Sequence, residues 1–267
     1  MNGVLEVGVQ GVALLGPGFG DWEQAAPLLR QPATWQRVPT VVPAPALLPA
    51  TERRRAGLVV KASVGVADAA CRAAGVAPAA LATVFTSSTG DPANCHAMCE
   101  ALAAAERLVS PTRFTNSVHN VTAGYWHIAV QGLQPSTSLG AYDASFAAGL
   151  LEAAAQVVRW NLPVLLVACD VPYPEPLHGV RPLADSLALA MVLVPTHERE
   201  GGRRLRVALA GDAAPTHCDD AGLEALRTQI PAARALPLLQ ALARDDAARV
   251  VVEGLPMQAL AIEVNPR

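Results

Sequence analysis

The chain has few aromatic and few charged side chains. Aromatic residues make up 4% of its 267 residues and charged residues 16%, whereas 52% are hydrophobic. The four tryptophans are scattered without interleaved basic residues, which argues against a stacking platform for single-stranded nucleic acid. The net charge of −3 supplies no basic footprint for nucleic acid or an anionic membrane. The apolar surplus over an average soluble domain is consistent with a buried interface.

The sequence also lacks long apolar runs and a leader segment. No stretch of about 18 uncharged apolar residues occurs, and residues 1–6 lack the basic and apolar regions of a signal peptide. The five cysteines are irregularly spaced, and their odd number does not suit a disulfide framework. We therefore expect a reduced, cytoplasmic protein without a membrane segment.

Motifs for a metal ion or a nucleotide are incomplete. Cys95 and Cys99 lie four residues apart on one predicted helix, but no second cluster of cysteine or histidine completes a metal site. Packing of small side chains in an alanine-rich helix is the favoured interpretation of this pair. Residues 217–220 offer ligand types without a partner cluster, and the glycines after the first strand miss the G-x-G-x-x-G spacing. The sequence predicts neither a metal nor a cofactor.

Two histidines leave one enzymatic alternative open. His119 and His127 flank a short segment, and a serine and an aspartate from elsewhere would complete a hydrolase triad. The chain has no G-x-S-x-G run, which a nucleophile elbow of the hydrolase type requires. A small acyl-thioester hydrolase or decarboxylase that uses His119 or His127 is therefore an alternative and not the leading hypothesis.

Apolar runs of strand length alternate with helical patterns along most of the chain. The predicted strands are, in order, residues 7–15, 81–87, 136–140, 163–169, 187–194, 204–209, 248–252 and 259–264. This alternation predicts an α/β fold with a mostly parallel central sheet flanked by helices. The runs at 187–194 and 204–209 predict an antiparallel hairpin whose charged connection includes residues 197–202. A long helix is predicted from residue 52 to about residue 74.

Residues 138–150 predict a strand that turns sharply into a helix. Such a turn presents one side chain at a helix N-terminus, where the dipole favours a thiolate and backbone N–H groups can hold an oxyanion. Asp143 stands at this turn, and its carboxylate is a weak nucleophile. The same side chain would equally serve as a helix cap. The pattern therefore indicates an enzyme-like turn without a catalytic nucleophile.

Seven short segments carry a resemblance to a known family. They lie at residues 9–13, 48–55, 84–90, 110–111, 116–124, 168–170 and 181–185. Their order and spacing resemble the N-terminal part of a β-ketoacyl-acyl-carrier-protein synthase of the thiolase superfamily. The resemblance is strongest over residues 4–211, and it implies a single thiolase-like half-fold domain over residues 1–267. It also implies that Asp143 replaces the nucleophilic cysteine.

The departures from this family concern its catalytic groups. Synthases of this kind carry two catalytic histidines in glycine-flanked motifs in the second half of the fold, and this chain shows neither motif. Decarboxylative condensation needs a thiolate that carries the acyl chain and positioned donors that stabilise the enolate and the oxyanion. The resemblance therefore implies a truncated, catalytically silent relative.

Short relatives of this type resemble chain-length factors, which pair with an active synthase in type II polyketide, fatty-acid-like and aryl polyene biosynthesis. The resemblance implies a heterodimer with a full-length β-ketoacyl-ACP synthase through the strand at 136–140, and contact with an acyl carrier protein. Tyr142, Asp143 and Phe146 become candidates for the acyl tunnel or the interface, although Tyr142 and Phe146 would equally be core aromatics. A homodimeric acyl-binding scaffold is a third alternative.

Overall fold

Eight strands form one sheet in the computed structural model, which describes residues 3–196, 203–244 and 246–265. The strands are β1 (Val4–Leu15), β2 (Ala82–Thr86), β3 (Ser136–Leu139), β4 (Val164–Asp170), β5 (Leu187–Val194), β6 (Arg203–Leu209), β7 (Ala248–Val252) and β8 (Leu260–Asn265). The helices are α1 (Trp22–Arg30), α2 (Ala50–Arg55), α3 (Leu58–Ala74), α4 (Pro92–Ala103), α5 (Pro111–Thr115), α6 (Val121–Val130), α7 (Ser145–Trp160), α8 (Leu177–Val180), α9 (Ala221–Gln229) and α10 (Leu236–Ala243). None of the helices in these ranges is long and apolar enough to cross a membrane.

The sheet is mixed, with the strand order β3-β2-β4-β5-β1-β6-β8-β7. Only β2 pairs in parallel, with β3 on one side and β4 on the other. The five other strand pairs of the described chain are antiparallel. The predicted α/β class with flanking helices is confirmed, whereas the prediction of a mostly parallel sheet is wrong. All eight residues of β5 are buried, and a strand buried on both faces shows the same apolar run in either direction.

The predicted hairpin between β5 and β6 is also wrong, because β1 lies between these two strands. β1 pairs with β5 along residues 8–15 and with β6 along residues 4–9. The two pairings overlap at Gly8 and Val9, and Gly8 is opposite Val194 on one side and Arg204 on the other. β1 has 12 residues, so its first half can pair with β6 and its second half with β5. The charged connection predicted at residues 197–202 lies outside the described residues.

The long helix predicted from residue 52 is two helices, α2 and α3. The backbone leaves the helical region at Ala56, whose N–H donates to the carbonyl of Glu52 and ends α2. At Gly57 an added Cβ would collide with the carboxylate of Asp91, the residue that caps α4. The absence of a side chain at Gly57 therefore lets the N-terminus of α4 lie against this break.

The sequence analysis did not predict α9. The signal for this helix is Asp220, whose side chain accepts hydrogen bonds from the N–H groups of Gly222 and Leu223 and so caps the helix.

Two apolar cores lie on opposite faces of the sheet. One is built from α3, α6 and the adjacent strand residues, with Trp126 fully buried in it. The other is built from α1, α7, α9 and α10, with Phe146 fully buried in it. Every residue of α10 is buried. The segment after Gly211 therefore adds α9 and α10 to one helical layer and adds β7 and β8, whose strands were predicted, to the sheet.

Gly149 lies where α7 packs directly on the sheet, and a substitution there tests this packing. A Cβ at this position would be 2.6 Å from Thr86 Cγ2 and 3.1 Å from Leu166 Cδ1, and Thr86 is held by its hydrogen bond to the carbonyl of Ser145. We expect Gly149→Ala to lower the free energy of unfolding in urea by a net ~1–2 kcal/mol, because overpacking outweighs the helix-propensity gain.

Gly65 in α3 provides the matched control. No atom lies within 4 Å of a Cβ built there, so Gly65→Ala is expected to raise the free energy of unfolding by ~0.5–1 kcal/mol through helix propensity alone. The same gain at both positions would contradict the close packing of α7 on β2 and β4.

Candidate functional site

The predicted strand-to-helix turn is present between the end of β3 at Leu139 and the start of α7 at Ser145. Tyr142 has a φ of +53°, a left-handed backbone that is uncommon for a bulky side chain. Ser145 Oγ accepts from the N–H of Ala141 at 3.0 Å and donates to the carbonyl of Tyr142 at 2.7 Å. Strained backbone of this kind is typical of turns that present a functional side chain. The apex of the turn is therefore Tyr142, and Asp143 follows it.

The carboxylate of Asp143 is held by two arginines. Arg181 Nη2 donates to Oδ1 at 2.6 Å, and Arg234 Nη2 donates to Oδ2 at 3.0 Å. Arg234 Nε also donates to the backbone carbonyl of Asp143 at 2.9 Å. The N-cap residue of α7 is Ala144, which makes no side-chain cap. The alternative prediction that Asp143 caps this helix is therefore wrong, and its side chain is an ion-pair partner.

Arg181 connects the turn to the loop after β2. Its guanidinium carbon lies 3.4 Å from the centre of the Tyr142 ring, within the range of a cation–π contact. Its Nη2 also donates to Ser88 Oγ at 2.6 Å. The side chain of Arg181 is only 17% exposed, whereas Tyr142 is 64% exposed. The ring of Tyr142 therefore covers the guanidinium and still presents surface to solvent.

A chain of ion pairs continues from the turn into the C-terminal layer. Glu253 lies 3.4 Å from Arg234 and 3.6 Å from Arg227. Arg227 in turn pairs with Glu224 at 2.7 Å, and His217 Nδ1 lies 2.9 Å from the same carboxylate. The hydrogen bonds from Arg227 lower the pKa of Glu224 to about 2, against the opposing effect of burial. The turn is thereby tied to α9 and to the segment after β7.

Asp170 is a fully buried carboxyl at the end of β4. Its Oδ1 accepts from the N–H of Ser88 at 2.7 Å, from Ser87 Oγ at 3.1 Å and from the N–H of Thr89 at 3.2 Å. Burial raises the pKa of Asp170 to about 6, and these hydrogen bonds limit the rise. Asp170 fixes the loop that positions Ser88, and Ser88 in turn holds Arg181.

A cavity of about 350 Å³ lies beside the ends of β2 and β3. Its wall includes residues of α4 and of the segment 116–122, together with Ser138 and Leu139 of β3. The predicted tunnel residues Tyr142, Asp143 and Phe146 do not belong to this wall. Phe146 belongs to α7 and its side chain is buried in the core, in agreement with the alternative interpretation of that residue.

The histidines and cysteines singled out in the sequence are only partly brought together. His119 is exposed and lines the cavity, as do Cys95 and Cys99. Both cysteines are exposed, so the prediction that they pack inside an alanine-rich helix is wrong. His127 points elsewhere, with its Nδ1 2.8 Å from the carbonyl of Gly132. In the described ranges no group of three potential metal ligands occurs.

Sequence reasoning missed Arg234, although a signal for it exists. It is the only charged residue between positions 230 and 243, in a run that is otherwise apolar except for Gln240. Charged side chains are almost never fully buried unless they are paired. A lone arginine in such a run therefore predicts a carboxylate partner, but the sequence does not say that the partner lies 91 residues away at Asp143.

Asp170 makes the stability of the protein depend on pH. Its pKa of about 6 in the folded state exceeds the ordinary aspartate value of 3.8, so the folded state binds this proton more tightly than the unfolded state does. The stabilising contribution is complete below about pH 4 and is lost as the pH rises through about 6. We expect the free energy of unfolding of the wild type, relative to Asp170→Asn, to fall by about 2 kcal/mol between pH ~4 and pH ~7 in urea titrations.

Ser87→Ala is the informative companion variant, because it removes one donor to the Asp170 carboxylate. Without this donor the pKa of Asp170 is expected to rise further, so the fall in the free energy of unfolding should occur at higher pH. A difference between wild type and Asp170→Asn that does not change with pH would contradict the assignment to Asp170.

Comparisons with known proteins support the predicted resemblance. The family described as "Beta-ketoacyl synthase, N-terminal domain" matches residues 22–254, which extends beyond Gly211. A search of curated proteins gives no match. One similar solved structure is the ketosynthase ApeO in complex with its chain length factor ApeC from Xenorhabdus doucetiae. Its TM-score is 0.75 at 21% identity, covering 97% of this chain and 99% of that chain.

Two further solved structures share the architecture. The ishigamide ketosynthase/chain length factor has a TM-score of 0.68 at 13% identity, covering 98% of this chain and 99% of that chain. A β-ketoacyl synthase from Burkholderia phymatum has a TM-score of 0.60 at 14% identity, covering 87% and 71% of the two chains. These similarities confirm the thiolase-like fold with a mixed central sheet. Because the family match spans most of the sequence, the chain belongs to the β-ketoacyl synthase family, in which it corresponds to the N-terminal domain.

Proposed function

We propose that this chain is a non-catalytic, ketosynthase-like subunit of the chain-length-factor type. It pairs with an active β-ketoacyl-ACP synthase in fatty-acid-like, polyketide or aryl polyene biosynthesis. The observation that carries the proposal is the turn before α7, where Tyr142 and an arginine-bound Asp143 stand in place of a thiol. A condensing enzyme needs a thiolate at this position to carry the acyl chain.

The cysteines of the chain do not supply a substitute nucleophile at the turn. All five are free, and three of them are buried, namely Cys71, Cys169 and Cys218. Burial raises the pKa of each of these three thiols to about 12. A thiol with such a pKa is almost entirely protonated at neutral pH and is a poor nucleophile. Cys95 and Cys99 belong to α4, on the wall of the cavity.

The free edge of the sheet supports a partner subunit. β3 is the strand at one edge of the sheet, and among the described residues no strand pairs with its outer side. Such an edge is a template for pairing with another chain. Exposed apolar side chains lie on the elements that precede or flank β3, namely Leu102, Leu108, Phe114, Val118, Ile128 and Leu133. An apolar surface of this kind around a free edge is typical of a subunit interface.

The cavity beside β3 supports a role in acyl-chain accommodation. Its volume of about 350 Å³ falls within the range of small-molecule sites, which is about 300–1,000 Å³. Ser138 and Leu139 place the edge strand in its wall, so an acyl chain from a partner synthase would reach it through the proposed interface. We propose that Tyr142 and Asp143 occupy the position of the nucleophile and so prevent catalysis at the turn. Phe146 packs in the core.

Affinity purification of the tagged protein from its native cells tests the partner proposal. We expect mass spectrometry and a size measurement to identify a full-length synthase in a one-to-one complex. Ile128→Glu is expected to reduce recovery of the synthase at least about tenfold, because a charge buried in an interface costs more than 1.4 kcal/mol. The matched control Leu209→Glu lies on β6 with similar exposure, 61% against 53% for Ile128, and should leave recovery unchanged. Isolation of a lone homodimer would instead favour the scaffold alternative.

Condensation assays test the non-catalytic part of the proposal. With acyl and malonyl carrier proteins as substrates, the purified protein is expected to give no product above background. Tyr142→Cys and Asp143→Cys are expected to give none either, because a thiol alone does not supply the donors that stabilise the enolate. Condensation by either variant would contradict the proposal. Thioester hydrolysis that is lost in His119→Ala or His127→Ala would favour the hydrolase alternative.

A further inference from the structure

Two arginines from distant parts of the chain converge on one carboxylate at the turn. Arg181 comes from the connection between β4 and β5, and Arg234 comes from the 3₁₀ segment Pro231–Ala235 that precedes α10. Each guanidinium donates to a different oxygen of Asp143, at 2.6 and 3.0 Å. Planar donors that approach both oxygens of a carboxylate are the geometry by which proteins recognise carboxylate ligands.

The arginines are more buried than the carboxylate they bind. The side chains of Arg234 and Arg181 are 8% and 17% exposed, whereas Asp143 is 41% exposed. A buried guanidinium without a counter-charge is costly. The other carboxylate near Arg234 is Glu253, at 3.4 Å, and the remaining contacts of Arg181 are the neutral Ser88 hydroxyl and aromatic rings. Asp143 therefore supplies the shortest anionic contact of both arginines.

We infer that Arg181 and Arg234 form a carboxylate-binding site at the turn, which the chain fills with its own Asp143. When the Asp143 carboxylate is removed, the site accepts a free carboxylate of one or two carbons. In the intact chain the tethered side chain excludes such ligands and fastens the segment before α10 to the turn. This inference concerns the isolated chain and does not depend on the proposed partner.

Chemical rescue of Asp143→Ala tests the inference. This variant lacks a carboxylate of three heavy atoms, and formate has the same three. We expect its melting temperature to fall below that of the wild type and to rise saturably with sodium formate, beyond the effect of sodium chloride at equal ionic strength. Acetate is expected to act more weakly because of its extra methyl group. The wild type should respond equally to formate and to chloride.

Two controls separate a bound carboxylate from a general salt effect. Asp143→Ala combined with Arg234→Met is expected to lose the formate-specific rise. Asp21→Ala removes an exposed carboxylate that caps α1 by accepting from the N–H of Gln24, and it should show no formate-specific rise. Equal responses to formate and chloride in Asp143→Ala, or an unchanged formate response with Arg234→Met present, would overturn the inference.

A double-mutant cycle covers the case in which Asp143→Ala does not fold in either salt. Asp143→Asn retains the shape of its side chain and Arg234→Gln retains only the first part of its side chain, but each removes the charge, and their effects on unfolding in urea can be compared singly and together. If the two residues form the site, the loss in the double variant is smaller than the sum of the single losses. Additive losses would overturn the inference.

Discussion

The pairing of β1 with two different strands is the interaction on which the rest of the structure depends. β1 binds β5 through its C-terminal half and β6 through its N-terminal half. It thereby joins the part of the sheet that contains β2, β3 and β4 to the part that contains β6, β7 and β8. Gly8 lies in this overlap, and an added Cβ there would be 2.9 Å from Val194 Cγ2. A larger residue at this position would therefore require the side chain of Val194 to shift.

The turn before α7 places a carboxylate at a helix N-terminus and surrounds it with positive charge. A helix N-terminus stabilises negative charge, which in an enzyme would favour a thiolate or an oxyanion. Here the negative charge is a permanent carboxylate, and two guanidinium groups neutralise it at hydrogen-bonding distance. A negative charge, such as a reaction intermediate would develop at this position, is thus already present in the structure, and the two guanidinium groups compensate it. The positive charge that Arg181 and Arg234 bring to the turn is therefore balanced in part by Asp143.

The sequence predicts local elements better than their pairing. The bounds of β5 and β7 agree with the prediction, because β5 is an apolar run and β7 is a short valine-rich run that ends before a charged residue. The direction and neighbours of β5 were not predictable, since they depend on which edge of β1 it meets. In the same way, Asp143 was recognisable from its place after a strand, whereas its partner Arg234 is brought to it only by the fold. Contacts between residues far apart in the sequence are the information that periodicity does not contain.

Hydrogen bonds connect the edge strand β3 and the turn through α7. β3 is only four residues long and pairs with β2 alone, yet side-chain hydrogen bonds hold it from both neighbouring elements. Thr83 Oγ1 donates to Ser136 Oγ at 2.8 Å, and Gln156 Nε2 of α7 donates to Thr137 Oγ1 at 2.9 Å. Because α7 is bonded both to the strand and to the turn at its own N-terminus, β3 cannot shift without moving the turn. An edge that is ordered before association loses less entropy when a partner strand binds. The contacts that hold the turn therefore also order the edge strand.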